Sequence, residues 1–342
     1  MTAPTSTASG NSLPPWIAAQ TTDLLSQRGH AWLLAGPSGL GQYPLALALA
    51  RAWLCEHPAP HGACGQCGSC HAIAVRTHAD LCVLMPETWM LALGWPLSEK
   101  AQGEIDDKKR KPSKEIRVDA MRDAVEFCQR TSARGRGKAV LVFPAEDMNH
   151  VTANALLKTL EEPPGDVKFV LATHSAQQLL PTIRSRCLWH TMRWPGAALS
   201  HQWLESQGLT APQAQQALLA CGGRPQDALE LAQSGRDAGA WSAFPRAMAC
   251  GDVGFVRDWS PAELLMSQHK LCHDLLAVSV GAVPRFFAVQ DLPPGASLAA
   301  LTQWARALAG QQRTVDHPFN AGLLLEALVG QAQCVLALTR RP

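Results

Sequence analysis

Four cysteines, Cys55, Cys64, Cys67 and Cys70, crowd into the stretch CEHPAPHGACGQCGSCH with the spacing C-x8-C-x2-C-x2-C. A tetrahedral zinc site needs four soft thiolates converging on one point, so the chain must turn sharply between them. Gly62, Gly65 and Gly68 are the residues expected to supply those turns, in a compact knuckle rather than one continuous helix. Free thiols and a redox C-x-x-C pair are the simpler readings, but a redox pair leaves two cysteines unused. An iron–sulfur run would place its fourth cysteine on the other side and follow it with proline. His57, His61 or His71 could stand in for one thiolate. A structural zinc is the expectation, because four cysteines leave no open position for catalysis.

A second stretch, LLAGPSGLGQYP (33–44), runs from an apolar strand through a glycine-rich loop into a helix. This is the layout of the phosphate-cradling loop G-x-x-x-x-G-K-[ST]. Gly36 and Gly41 stand at the right spacing, with Gly39 between them. Gln42, however, takes the lysine position and Tyr43 the Ser/Thr position. The charge that reaches the phosphates and the hydroxyl that binds magnesium are both missing.

The elements around these residues alternate. Strands are expected at Ala31–Ala35, Leu81–Met85, Ala139–Phe143, Val167–Ala172 and Cys187–Met192, and helices at Pro44–Leu54, Val118–Gln129 and Thr152–Glu161. That is the signature of a parallel α/β sheet covered by helices. After Trp194-Pro195 the strand signals fade. Small helices are expected around the turn CGGRP, and from about residue 237 the pattern stays helical to the end. SPAELLMSQHKLCHDLL opens with a capping box, Ser260 and Glu263 around Pro261. The charge run DDKKRKPSK (106–114) reads as a solvated loop.

The 342 residues are 47% hydrophobic and 17% charged, an ordinary globular balance, and a net charge of +2 does not argue for nucleic acid. The opening MTAPTSTASGNSLPPW lacks the pattern of a signal peptide, no run is long enough for a membrane span, and eleven unevenly spaced cysteines do not suit a secreted scaffold. No internal repeat is present, and a cytoplasmic protein with no membrane partner is expected.

The glycine loop, the cysteine run directly behind its helix, NALLKTLEEPP (154–164), FVLATH (169–174) and IRSRC (183–187) together resemble bacterial DNA polymerase III clamp-loader subunits. The resemblance covers most of residues 14–235 and is weaker in the helical C-terminus. It implies an α/β, AAA+ P-loop-type parallel-sheet domain over 1–194 with a zinc-module insertion at about 55–70. A small helical lid over 195–236 and an all-α collar over 237–342 would follow.

In that family the ATP-hydrolysing subunits keep an intact phosphate loop and an Asp-Glu pair after the Walker B strand. Here KAVLVFPAED carries Phe143-Pro144 at that place, with Glu146 and Asp147 past the strand end. In GGRPQDALEL, Gln226 holds the place of the lid arginine, with Arg224 close by. Three nucleotide-site elements are degraded together. The resemblance therefore implies the non-hydrolysing member of the ring, with no ATP of its own and a loop (Gly36, Gly39, Gly41, Gln42, Tyr43) kept for its turn geometry. Thr173, at the family's sensor position, becomes a strand-end hydroxyl.

Arg186 of Ser185-Arg186-Cys187 is implied as a finger reaching in trans into a neighbour's ATP site; the plainer reading is an ion pair before a strand. The implied partners are the gamma/tau and delta subunits, the sliding clamp, and primed DNA through the complex. Two other function classes compete: a gamma/tau-like ATP-hydrolysing motor with an unorthodox site, and a zinc-bearing DNA-binding module.

Overall fold

The computed structural model describes residues 13–233, 238–315, 317 and 320–337. The expected boundary after residue 236 and most of the opening MTAPTSTASGNSLPPW stretch lie outside them. The chain divides into two units, one running to Leu199 and one from Ser200.

The first unit contains the strands β1 (Ala31–Ala35), β2 (Leu81–Leu84), β3 (Lys138–Val142), β4 (Val167–Thr173) and β5 (Leu188–Thr191). All pair in parallel, in the order β2-β3-β4-β1-β5. Parallel strands covered on both faces read as continuous apolar runs, and β1 (AWLLA) and β3 (KAVLV) are buried at every position. β2 and β5 are the edges, and Leu188 and Trp189 of β5 are exposed. Around the sheet lie α1 (Pro15–Leu25), α2 (Gln42–Leu54), α3 (Gly68–Ala74), α4 (Glu87–Ala92), α5 (Glu99–Asp106), α6 (Val118–Gln129), α7 (His150–Glu161) and the single turn α8 (Pro181–Arg184). Met121 and Ala124 of α6 and Leu156 and Leu160 of α7 close one face over Leu33, Val140, Phe169 and Leu171. Each such buried side chain contributes roughly 1.5–3 kcal/mol.

The expected strands stand within one residue at each end. Two helices start earlier than expected. α2 begins at Gln42, and α7 begins at His150, where the Asn149 side chain accepts from the Thr152 N–H as N-cap. The charge run 106–114 is a largely exposed loop at the end of α5, with one exception in its middle. Arg110 does not dangle in water: its guanidinium binds both oxygens of Glu87 and one of Glu104, and the Ser113 N–H also donates to Glu87. A buried carboxylate thus recruits the middle of the basic run.

The second unit is helical in its described residues. α9 (Ala197–Ser206) spans the division, followed by α10 (Ala211–Ala220), α11 (Pro225–Gln233), α12 (Ala238–Cys250), α13 (Pro261–Ser279), α14 (Leu298–Gln311) and α15 (Ala321–Ala337). Leu204, Leu218 and Leu229 form a small core, and Phe244, Leu271, Trp304 and Leu328 belong to a larger one. The expected capping box of α13 is present: Ser260 Oγ accepts from the Glu263 N–H and Glu263 Oε2 from the Ser260 N–H. Among the described residues no helix is long and apolar enough to cross a membrane.

Candidate metal centre and a self-filled phosphate loop

Sheet register brings the loop and its surroundings together. Ala35 pairs with Thr173 on one side and Thr191 on the other, and Val142 lies opposite Leu171. Gly36, Phe143 and His174, each following its strand, therefore emerge along one edge of the sheet, where β1 lies between β4 and β5. In open α/β sheets this carboxyl edge is where ligands bind.

The glycines are fixed by geometry. Gly39 and Gly41 have φ of 81° and 94°, a region that favours glycine. A Cβ on Gly36 would come within 2.7 Å of Met192 Cβ. The Trp16 indole N–H donates to the Leu40 carbonyl and pins the outer turn of the loop, at 3.2 Å.

Gln42 is 1% exposed. Its Nε2 donates to the carbonyls of Gly36 and Pro37, at 2.6 and 2.7 Å. The side chain in the lysine position thus satisfies the loop's own acceptors. Tyr43, in the hydroxyl position, receives the Trp95 indole N–H on its phenol oxygen at 2.7 Å, and burial pushes its ionisation above the ordinary tyrosine value. Its ring stands 5.5 Å from that of Phe143, which occupies the Asp-Glu position. Trp89 and His174 pack edge-on against Phe143 at 5.5 and 5.3 Å. An aromatic cluster stands where the sequence pattern calls for magnesium ligands.

The two later acids are turned to other work. Glu146 Oε1 accepts the His174 backbone N–H at 2.9 Å, and so caps the end of β4. Asp147 is half-buried, and burial, then the charges of Glu146 and Glu115, push its carboxyl up to about 6. Thr173 is fully buried, and its Oγ1 accepts from the Ser175 N–H. In the second unit Arg224 pairs with Asp227 at 2.8 Å, and Gln226 sits in the first turn of α11.

The four cysteines meet. Cys55 follows the last residue of α2, Cys64 lies in the intervening turn, Cys67 caps α3 and Cys70 lies in its first turn. Their sulfurs lie within 4.8 Å of one another, with separations of 3.5 Å (Cys55–Cys64), 3.8 Å (Cys55–Cys67 and Cys55–Cys70) and 4.0 Å (Cys64–Cys70). Zn–S bonds of about 2.3 Å in a tetrahedron place sulfurs about 3.8 Å apart, so the set fits a zinc-sized ion. Among the described residues the converging group is the four cysteines, without His57, His61 or His71.

Burial, then the bond to Cys67, pushes Cys70 up to about 12, while backbone N–H groups draw Cys67 down to about 6 against its burial. Four thiolates this close would repel one another, so all four lose their protons together only around a cation.

Gly62 and Gly65 supply the expected turns, with φ of 140° and 77°. Gly68 does not: it is the first residue of α3. What it provides is room, because a Cβ there would lie 3.2 Å from the Arg134 guanidinium and 3.3 Å from Glu56 Oε1. Glu56 accepts from the Ser69 N–H, the Ser69 hydroxyl and Arg134, and the Arg134 backbone N–H donates to buried Asp80. This chain of bonds ties the module to the sheet, and it was not foreseen, because its members are spread from Glu56 to Arg134.

Arg186 follows α8 by one residue past Ser185. Its Nε and one terminal nitrogen donate to Glu161 Oε2 at 3.3 and 3.1 Å, and the other terminal nitrogen to the Thr182 carbonyl at 3.0 Å. The group is 30% exposed and Glu161 59%. An ion pair before β5 is therefore present.

Residues 21–194 match the sequence model of the family described as DNA polymerase III, delta subunit. The chain is 43% identical over 192 residues to the DNA polymerase III subunit delta' of Pseudomonas aeruginosa, covering 56% of this chain and 52% of that one. It is 34% identical over 228 residues to the subunit delta' of Escherichia coli, covering 64% and 60%. The chain thus spans a little over half the length of these relatives. A solved structure of a DNA polymerase III gamma-subunit-related protein from Thermotoga maritima shares the fold at TM-score 0.51 and 16% identity, over 93% of this chain and 99% of that one. The fold is the parallel α/β type expected from the sequence. With half the chain matched by the family's sequence model, the chain belongs to the DNA polymerase III delta subunit family.

Proposed function

We propose that this chain is a non-hydrolysing ring subunit that helps load the sliding clamp onto primed DNA, alongside gamma/tau and delta subunits. The observation that carries the reading is Gln42: its amide is spent on the Gly36 and Pro37 carbonyls. The Tyr43–Phe143–Trp89 cluster adds to it by standing in the place of the metal ligands. Backbone N–H groups alone would be left to hold a triphosphate. The charged group left for nucleotide chemistry is Arg186, which acts in trans on a neighbouring subunit's ATP; a planar guanidinium in that role is typically worth about 10³–10⁵ in rate. Cys55, Cys64, Cys67 and Cys70 hold a structural zinc. Residues 195–236 serve as lid and 237–342 as collar.

The test has two arms. Titration calorimetry of the isolated chain with Mg-ATP should give no binding in the micromolar range. Reconstitution with gamma/tau and delta should give a complex whose ATP turnover falls when Arg186→Ala replaces the native chain. Micromolar binding by the isolated chain, or a complex indifferent to Arg186, overturns the reading.

A further inference from the structure

Glu161 is out of place as a helix residue. It closes α7, at the negative end of the helix dipole, where a cation is favoured and a carboxylate is not. It is well exposed, so no core depends on it, and Lys158 already supplies a basic residue to the last turn. A residue that breaks a local rule without local gain is a candidate for function. Its one contact of consequence is Arg186.

The geometry of that contact is selective. A guanidinium has five N–H donors in a rigid plane. Glu161 Oε2 takes the Nε–H and one N–H of the adjacent terminal nitrogen, which is the side edge of the fork. The Thr182 carbonyl takes one N–H of the other terminal nitrogen. Two N–H groups remain, one on each terminal nitrogen, and these are what the side chain can still offer to a phosphate or carboxylate. The side chain is thus held at all three nitrogens with two N–H groups uncommitted. Both anchors come from elements of the same unit, α7 and α8, so the orientation is set before any partner arrives.

We infer that Glu161, with the Thr182 carbonyl, is a positioning residue that presents the remaining N–H groups of Arg186 to the γ-phosphate of a nucleoside triphosphate held by a neighbouring subunit. This rests on the proposed trans role of Arg186 and adds the residue that aims it. Glu161 touches no substrate. Because exposed pairs are weak, it holds the guanidinium without competing strongly with a triphosphate. Loss of Glu161 leaves the charge in place but lets the long side chain sample other rotamers, so its effect falls on the chemical step, not on nucleotide affinity.

The experiment uses the reconstituted complex with Mg-ATP as probe. Arg186→Ala defines the share of turnover that depends on this chain. Glu161→Ala should assemble normally and lower kcat for that share about tenfold with KM unchanged. Glu161→Gln, which keeps an acceptor oxygen, should lose less. The double variant Glu161→Ala/Arg186→Ala should be no slower than Arg186→Ala alone, since the two residues act as a unit. If Arg186→Ala lowers turnover but Glu161→Ala does not, or raises KM in step, the positioning role is wrong and the trans arginine stands. If Arg186→Ala itself changes nothing, both fall.

Discussion

The Gln42 side chain closes the phosphate loop onto the carbonyl of Gly36, at 2.6 Å, and the same nitrogen reaches Pro37 at 2.7 Å. A lysine at this position would project its charge outward to a phosphate. The amide instead turns back and satisfies two acceptors that would otherwise need water. One residue thus removes the charge and occupies the loop.

Gln42→Ala should therefore destabilise the chain by roughly 0.5–1.5 kcal/mol per lost hydrogen bond, since water can reach half-buried Gly36 and exposed Pro37, read as a lower urea midpoint at constant slope. It should create no affinity for Mg-ATP. Gln42→Lys should also fail to restore micromolar binding in calorimetry, because Tyr43 and Phe143 still fill the metal position. Tight binding by the lysine variant would mean that the aromatic cluster yields to magnesium.

The purified chain should carry about one zinc per molecule. Structural zinc in small peptides contributes roughly 10–16 kcal/mol of apparent binding energy. Here the module is also tied to the sheet through Glu56, Ser69 and Arg134. Chelation, or Cys70→Ser, should release hydrogen-exchange protection over residues 55–75 and leave the amides of β1, β3 and β4 protected. Elemental analysis finding iron, or no metal, would overturn the assignment. So would a chelated protein that loses the whole sheet.

The sheet was legible because its inner strands β1, β3 and β4 are mostly apolar and bounded by turns. The Leu33, Val140 and Phe169 runs admit little else in a chain with alternating helices. The cysteine quartet was legible from spacing alone. Two kinds of relationship were not. Trp95 meets Tyr43, and Arg134 meets Glu56, across 52 and 78 positions of sequence; no local pattern records such pairs. Nor could spacing tell that Gly68 makes room for a salt bridge when its neighbours Gly62 and Gly65 make turns. The missing lysine was visible; that Gln42 would fill the gap it left was not, since an amide can equally face solvent.

Asp147 predicts a pH signature. Its carboxyl is pushed up to about 6, first by burial and then by Glu146 and Glu115, from an ordinary value of 3.8. Between those values the folded chain binds more protons at this site than the unfolded one, so this group's contribution to stability falls as pH rises. Below about pH 4 it is protonated in both states and costs nothing; above about 6 the full penalty applies. Asp147→Asn should match the native chain in Tm near pH 4 and exceed it near pH 7.5. Equal Tm differences at both pH values would show that the carboxylate is not penalised.

Asp274 fastens a loop of the helical unit through three backbone donors. It is fully buried, and it accepts the backbone N–H groups of Arg285, Phe286 and Phe287 at 2.9, 2.6 and 2.8 Å. Asp274→Ala strands those three donors and should cost several kcal/mol, on the order of 3–5. Because Phe287 lies in the same core as Leu271 and Trp304, the loss should appear as lower stability of the helical unit. Limited proteolysis should then cut first near residues 280–290. A variant as resistant as the native chain would show that the loop is held by other contacts.

Arg186→Lys separates charge from shape. An ammonium can pair with Glu161, but it is a point charge with three rotating donors and no plane. Once it leans on Glu161 Oε2 it has no fixed second edge to offer, whereas the guanidinium holds Glu161 and the Thr182 carbonyl and still has two N–H groups left. The lysine variant should therefore fold, enter the complex and leave nucleotide affinity unchanged. Turnover at the paired site should stay close to that of Arg186→Ala, orders of magnitude below native. Total ATPase will fall less, since other sites keep their own arginines, so the rate of clamp loading on primed DNA is the sharper readout. Native loading by the lysine variant would show that positive charge alone suffices and that the planar fork has no part in the reaction.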